Sequence, residues 1–244
     1  MTWLNGSDMK SSPSLSKSHR SHAFALPELL VVVAVLLLAL AIALPIWTGA
    51  RARSRQAQCT DNLRQIANGV LTYAGKNNGQ LPQDEPISRS IPPPPLWWFY
   101  KETIKGEMDL KGPSSPADKV FGCPDDRGYE EHTKPFRLSA KFDYNSYPFN
   151  GVNLPGIPNI AGKPLASIKE PAVTLLVMEF TAHGPLSWHR SRTGKKNQPF
   201  YKDAESVVGF VDGHVDFVPI YYDGMNPAFT RDPIPGYKYR YSGE

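Results

Sequence analysis

Little in this chain matches the signatures on which enzymatic chemistry is built. Cysteine is scarce, with two in 244 residues, Cys59 and Cys123. Two such distant cysteines make neither a Cys-x-x-Cys redox motif nor a four-ligand zinc site. No His-Glu-x-x-His, Gly-x-Ser-x-Gly or Walker-type loop occurs, so the local signatures of zinc proteases, α/β-hydrolases and P-loop enzymes are missing. The net charge is only +4 and is scattered, which gives no footprint for nucleic acid. Between Leu29 and Ile46 there is no polar side chain at all. Proline, by contrast, is plentiful at 24 residues, most of them after residue 80. That pattern excludes a helical bundle there and predicts short elements joined by turns.

The apolar stretch organises the first half of the chain. Residues 1–23 are polar and serine-rich, and Lys10, Lys17 and Arg20 against Asp8 give them a charge of +2. Phe24 to Trp47 follows as one apolar run, and a helix of about 20 residues crosses the hydrocarbon layer of a bilayer. The basic leader places the N-terminus in the cytoplasm, while Arg51, Arg53 and Arg55 beyond the far end oppose that orientation. Glu28 is the unusual residue. A carboxylate at the centre of an inserting helix costs about 2.5–3.5 kcal/mol, and less near its end. The plain alternative is a Glu28 close enough to the interface to reach water.

These residues resemble the N-terminal signal of type IV prepilins and type II secretion pseudopilins. That family has a small residue, a cleaved bond, then Phe, with Glu at the fifth mature position. Here Ala23 precedes Phe24, and Glu28 is fifth when Phe24 is counted first. Pro45 falls at position 22, where pilins carry a helix-kinking proline. Ala23 stands where the family usually has glycine. The resemblance implies cleavage by a prepilin peptidase between Ala23 and Phe24 and methylation of the new Phe24 amine. It further implies that Glu28 neutralises the N-terminal amine of a neighbouring subunit. Pro27 is tolerated because the first turn of a helix has no amide partner to lose.

Beyond Pro45 the pattern becomes periodic. Cys59, Leu63, Ile66, Val70 and Tyr73 recur at helical steps, while Arg51, Arg55, Asp61, Arg64 and Gln65 fall away from that stripe. The spacing predicts a helix to about Ala74, stopped by Gly75 and the Lys-Asn-Asn-Gly after it. The first half would then sit in lipid and the second half on a soluble domain. An ordinary anchor followed by a separate helix, with the break at Pro45, is the alternative.

The remaining sequence reads as loops and strands. Pro92 to Pro95, followed by Trp97 and Trp98, predicts a surface loop with packed aromatics in preference to a polyproline recognition motif, or a contact surface between subunits. Cys59 faces the domain, so a disulfide to Cys123 would tie the helix to it, worth roughly 4 kcal/mol by loop-closure entropy. Two buried thiols, or a metal pair completed by a histidine, are the alternatives. Val173–Phe180 reads as a buried strand, and Ser187–Asp203 as an exposed loop. Asp212-Gly213 is expected to make a two-residue hairpin turn. That turn sets Val211 opposite His214, Phe210 opposite Val215 and Val208 opposite Phe217. Phe210, Val215, Val208 and Phe217 would share the core face, with His214 and Asp216 on the other.

This segment carries a second resemblance, to a bacterial group of pilin-like proteins that ends in a histidine, a spacer, an apolar strand and Asp-Gly-His-Val. The matching residues are Asp212, Gly213, His214 and Val215, with Cys59–Pro82, Cys123–Asp126 and Ser167–Glu179 similar to the same group. His189 is the candidate for the group's histidine, 23 residues before Asp212, with an insertion in the Lys195 loop accounting for the interval. The resemblance spans most of residues 23–218.

His183, His189, His214, Asp212, Asp216 and Glu179 can be drawn together as a metal or acid–base cluster, but the turn alone accounts for Asp212 and Gly213. A calcium site needs six or more oxygens from a defined loop, which these residues do not suggest. The expectation is therefore no catalytic residue, no metal and no cofactor. The expected fold is α+β and pilin-like, a long N-terminal helix on a small antiparallel sheet with long loops. Its divisions would be a leader (1–23), a membrane half of the helix (24–47), an amphipathic half (48–75) and an extracytoplasmic domain (76–244). The function expected is that of a pseudopilin or minor pilin of the bacterial inner membrane, spanning it once. Its partners would be a prepilin peptidase and other pilin-like subunits, with no nucleic acid. A membrane-tethered surface binding protein is the first alternative. An exported enzyme whose signal is cut at Ala39-Leu40-Ala41 is the second.

Overall fold

The structure, a computed structural model, describes residues 26–83, 96–128, 134–152, 156–183, 186–191, 204–223 and 228–244. The leader, Ala23, Phe24, the Pro92–Pro95 run and the Lys195 loop lie outside them. The chain divides into two compact units, Met1–Trp47 and Thr48–Glu244. The architecture is α+β: a long N-terminal helix with a small antiparallel sheet packed on its second half.

Helix α1 spans Leu26–Lys76. In the first unit its large apolar side chains are exposed on every side, from 43% at Val33 to 74% at Leu26. Among the described residues it is the one helix long and apolar enough to cross a membrane. Pro45 lies inside it, although proline has no N–H for the helical ladder.

In the second unit the same helix becomes one-sided. Cys59, Leu63, Ile66, Ala67, Val70 and Ala74 are buried, and Arg55, Asp61, Arg64 and Gln65 are exposed. The helix stops where Asn78 and Gly79 take left-handed conformations (φ 54° and 79°). The Gly79 N–H then closes on the Ala74 carbonyl at 2.8 Å, satisfying an end carbonyl that the helix leaves open.

Helix α2 (Leu96–Ile104) replaces the loop expected around the tryptophans. Trp98, Tyr100, Lys101 and Ile104 are buried, a helical repeat hidden inside an aromatic-rich run. Trp98 stacks on Phe180 at 4.9 Å and on Phe136 at 5.8 Å, so it is core and not a contact surface; Trp97 is half-buried. Lys101 is the unusual member. Its Nζ donates to the Asp143 carbonyl at 2.9 Å and pairs with Asp118 at 3.0 Å, so the buried charge has partners.

The sheet has four strands but is three strands wide. Strand β3 (Ala204–Phe210) is central. Strand β4 (Val215–Ile220) runs along one edge, while β1 (Leu175–Met178) and the short β2 (Arg190–Ser191) share the other. All four residues of β1 are buried, as expected for the apolar run from Val173. The passage Ser187–Asp203, expected as an exposed loop, is corrected in part. Ser187, Trp188 and His189 are buried and lead into β2.

The hairpin register is also corrected. Val208 faces Asp216, Val207 faces Phe217 and Gly209 faces Val215, one residue off the expected pairing. The loop has three residues, Val211, Asp212 and Gly213. The Gly213 N–H donates to the Phe210 carbonyl, the Phe210 N–H donates to the His214 carbonyl, and only Gly213 takes positive φ (91°). A one-residue slip moves every side chain to the other face. Phe210 therefore shares a face with His214, and their rings stack at 4.3 Å. Val208 and Phe210 join Ile234, Tyr239 and Tyr241 in a core on that face, while Val177, Val211 and Val215 pack on the helix side. Gly209 is needed for that approach: a Cβ there would lie 2.9 Å from Leu63 Cδ2.

Candidate functional site

Two groups of residues stand out, one in each unit. In the first, Glu28 lies in the first turn of α1, ahead of eighteen residues without a polar side chain. Pro45 lies farther along the same helix.

In the second unit the sequence brings a disulfide and a chain of charges to one buried point. Cys59 on α1 bonds to Cys123, with Cα atoms 4.9 Å apart. Closing a loop of 64 residues is worth about 4 kcal/mol in lost unfolded-state entropy. Cys123 Sγ lies 3.6 Å from His189 Nε2 and 3.5 Å from Glu179 Oε1. The imidazole bridges two carboxylates, Nε2 to Glu179 at 2.8 Å and Nδ1 to Asp125 at 3.0 Å. Arg55, on α1, pairs with Asp125 from the outer side.

Each member is held by backbone or by a neighbour. Glu179 follows β1, and its Oε2 accepts the Val207 N–H of β3 at 3.2 Å. Cys123 sits in a tight loop governed by Asp126, whose carboxylate accepts from Gly128 N, Arg137 N and Ser146 Oγ. Ser146 Oγ in turn accepts the Cys123 N–H at 3.1 Å. Arg127 donates to the Trp188 carbonyl at 2.7 Å, fixing the residue just before His189. Of the two adjacent aspartates, Asp125 therefore belongs to the charge chain and Asp126 to the loop.

The electrostatics follow from burial and partners. Burial by itself pulls the His189 pKa down, but Glu179 and Asp125 outweigh it and raise the value to about 9. His189 is thus an imidazolium at neutral pH. Burial also opposes ionisation of Asp125, but bonds from His189 and Arg55 prevail and hold its pKa below the ordinary value. Burial raises Asp126, partly offset by the hydrogen bonds its carboxylate accepts. The side chains of His189 and Glu179 are 1% and 0% exposed, so the site is closed to a substrate. What the arrangement does is tie α1 to the loop at Cys123 and to the ends of β1 and β2.

The other candidates go elsewhere. Asp212 accepts the His214 N–H at 3.1 Å and pairs with its ring, both within the turn. His183 is buried among Trp97, Phe180 and Phe229, and burial pushes its pKa down to about 3, leaving it neutral. Among the described residues no hydrogen bond or ion pair joins His189 to Asp212 or His214. The six-residue cluster drawn from sequence thus separates into two pairs, His189 with Glu179 and Asp212 with His214. Asp125 and Arg55 were missed as site residues; the one signal was Asp125 two positions after Cys123.

Comparison with family models, with curated proteins and with solved structures gives no match to this chain.

Proposed function

We propose that the chain is a pseudopilin or minor pilin subunit, cut by a prepilin peptidase between Ala23 and Phe24 and assembled through its apolar helix into a secretion or pilus-like apparatus. One observation carries the reading: Glu28, the single ionisable side chain of the apolar stretch, lies in the first turn of a helix whose next eighteen residues are wholly apolar. An ionisable group within a membrane segment marks a functional site by default, because its cost must be offset by a partner. The amine released at Phe24 of a neighbouring subunit is that partner, and the pairing sets the stagger between subunits. The α+β layout, with a sheet on the amphipathic half of the helix, is consistent with this reading. The domain would then be extracytoplasmic, a compartment that permits the Cys59–Cys123 bond.

Mass spectrometry of the mature N-terminus from native membranes tests the processing step. A peptide starting at methylated Phe24 is expected. A soluble product starting after Ala41 would overturn the reading in favour of an exported protein. Glu28→Ala tests assembly separately: the protein should still insert, yet cross-linked multimers should fall by an order of magnitude or more, about the effect of losing 1.4 kcal/mol.

A further inference from the structure

The disulfide has neighbours that a structural disulfide does not need. Cys59 Sγ, Cys123 Sγ, Glu179 Oε1 and His189 Nε2 all lie within 4.8 Å of one another, and all four residues are buried. Two thiolates, one imidazole and one carboxylate form the donor set of a closed tetrahedral zinc site. We propose that, when the disulfide is reduced, these four residues bind one zinc-class divalent cation, so that the same point of the fold is stapled by a covalent bond in one redox state and by a metal in the other.

The distances support this. An ion with sulfur ligands at about 2.3 Å and nitrogen or oxygen ligands at about 2.0–2.1 Å sets ligand–ligand edges of about 3.3–3.8 Å. The Cys123 Sγ edges to His189 (3.6 Å) and Glu179 (3.5 Å) already have that length. The His189–Glu179 edge, at 2.8 Å, must open by about half an ångström to reach that range. Two changes remain: the sulfurs must part, which reduction brings about, and Cys59 Sγ, whose edges to His189 and Glu179 extend up to 4.8 Å, must draw in toward them.

The outer partners are those a metal site requires. Asp125 accepts from His189 Nδ1, which orients the ring so that Nε2, once its proton has left, faces the thiols. Arg55 holds Asp125, and the Val207 N–H holds the second oxygen of Glu179, leaving Oε1 aimed at the sulfurs. Thiolate and imidazole donors select zinc over calcium or magnesium.

The charges also account for two states. With the disulfide closed, the sulfurs are neutral and offer no thiolate to a cation. A dithiol, ending as its own disulfide, or a phosphine with water, ending as the phosphine oxide, supplies two electrons and two protons, and the S–S bond breaks to give two thiols. On binding, each thiol and His189 Nε2 release a proton to solvent as the sulfur–metal and nitrogen–metal bonds form. The dication thus takes the place of the protons. This inference concerns the second unit alone and does not depend on assembly through α1.

The test uses the full chain in detergent micelles, without oxygen, with cobalt(II) as the spectroscopic probe and a phosphine as reductant. The reduced protein is expected to bind one cobalt per chain, with the intense thiolate-to-cobalt absorption of a tetrahedral site, and to release it to zinc. The oxidised protein should show none. Asp125→Asn, which keeps all four ligands, should weaken binding about 10–100-fold. His189→Ala should abolish the tetrahedral spectrum. Reduced wild type that binds no cobalt overturns the proposal whether or not any variant folds. So does a spectrum that His189→Ala and Glu179→Gln leave unchanged, which would mean that the two thiols act alone.

Discussion

Leu26–Trp47 and Cys59–Ala74 belong to one helix, yet they meet their surroundings in opposite ways. The first stretch is apolar on all sides, and its large side chains are exposed within the chain itself. The second is apolar along one stripe only, and that stripe is buried by the domain. The difference shows what burial demands. A helix surrounded by hydrocarbon needs no polar face, whereas a helix half-covered by protein needs a wet side for Asp61, Arg64 and Gln65. Charge is rationed accordingly. Glu28 is the only ionisable side chain between Leu26 and Trp47, while the second stretch carries its charges on the exposed side.

The largest test of this contrast exchanges a charge between the two stretches. Leu63→Arg buries an unpaired cation against Gly209 and should cost about 3–5 kcal/mol, unfolding the domain while membrane insertion persists. Leu36→Arg should cost insertion about 2.5–3.5 kcal/mol and leave the melting of the domain unchanged. Fractionation and thermal melts of both variants separate the outcomes; a domain melt that moves equally in both would erase the distinction.

Removing the staple comes next. Cys59→Ser with Cys123→Ser should lower stability by about 4 kcal/mol in urea denaturation. Equal stability of the mutant and the oxidised wild type would mean that packing of the helix stripe alone holds α1 in place.

A smaller effect lies in the pH dependence. The folded pKa of His189, about 9, is above its unfolded value. The stabilisation is therefore fully present below about pH 6.5 and is lost as pH rises through the folded pKa, amounting to about 3 kcal/mol. His189→Gln should flatten the stability profile between those limits; a slope that survives the substitution would assign it to another group.

The smallest contrast is between two glycines of the second stretch and its end. Gly75→Ala, with nothing within 4 Å of the added methyl, should raise stability by about 1 kcal/mol through helix propensity. Gly69→Ala brings its methyl to 2.9 Å from Met108 Cγ and Sδ, so that gain should be reduced or reversed. Equal melting temperatures for the two variants would mean that Met108 yields at no cost.

How far the fold was legible follows from how local each signal is. The apolar run, the stripe from Cys59 and the stop at Asn78-Gly79 are properties of neighbouring residues, and α1 follows them closely. Helix α2 was hidden because Trp98, Tyr100 and Ile104 repeat within a run that is aromatic throughout, next to a proline tract that reads as loop. The hairpin misled for a related reason. Six of the seven residues of β3 are buried, so the alternation that would set the register is absent. His189 was legible as a motif residue but not as a bridge, because its partners come from a loop after Cys123 and from the end of β1.

By itself, then, the sequence determined the features that depend on composition and short-range period: one span long enough for a bilayer, a carboxylate at its start, and an amphipathic continuation that must be covered. Tertiary structure alone decided which sheet face meets the helix, since one extra residue in the turn at Asp212-Gly213 reverses every side chain of the strand. It likewise gathered Arg55, Cys59, Cys123, Asp125, Glu179 and His189, which come from four separate stretches of the chain. Their association is set by the packing of β1 and β3 against α1, and the two carboxylates it brings to His189 outweigh the burial that would otherwise keep the imidazole neutral.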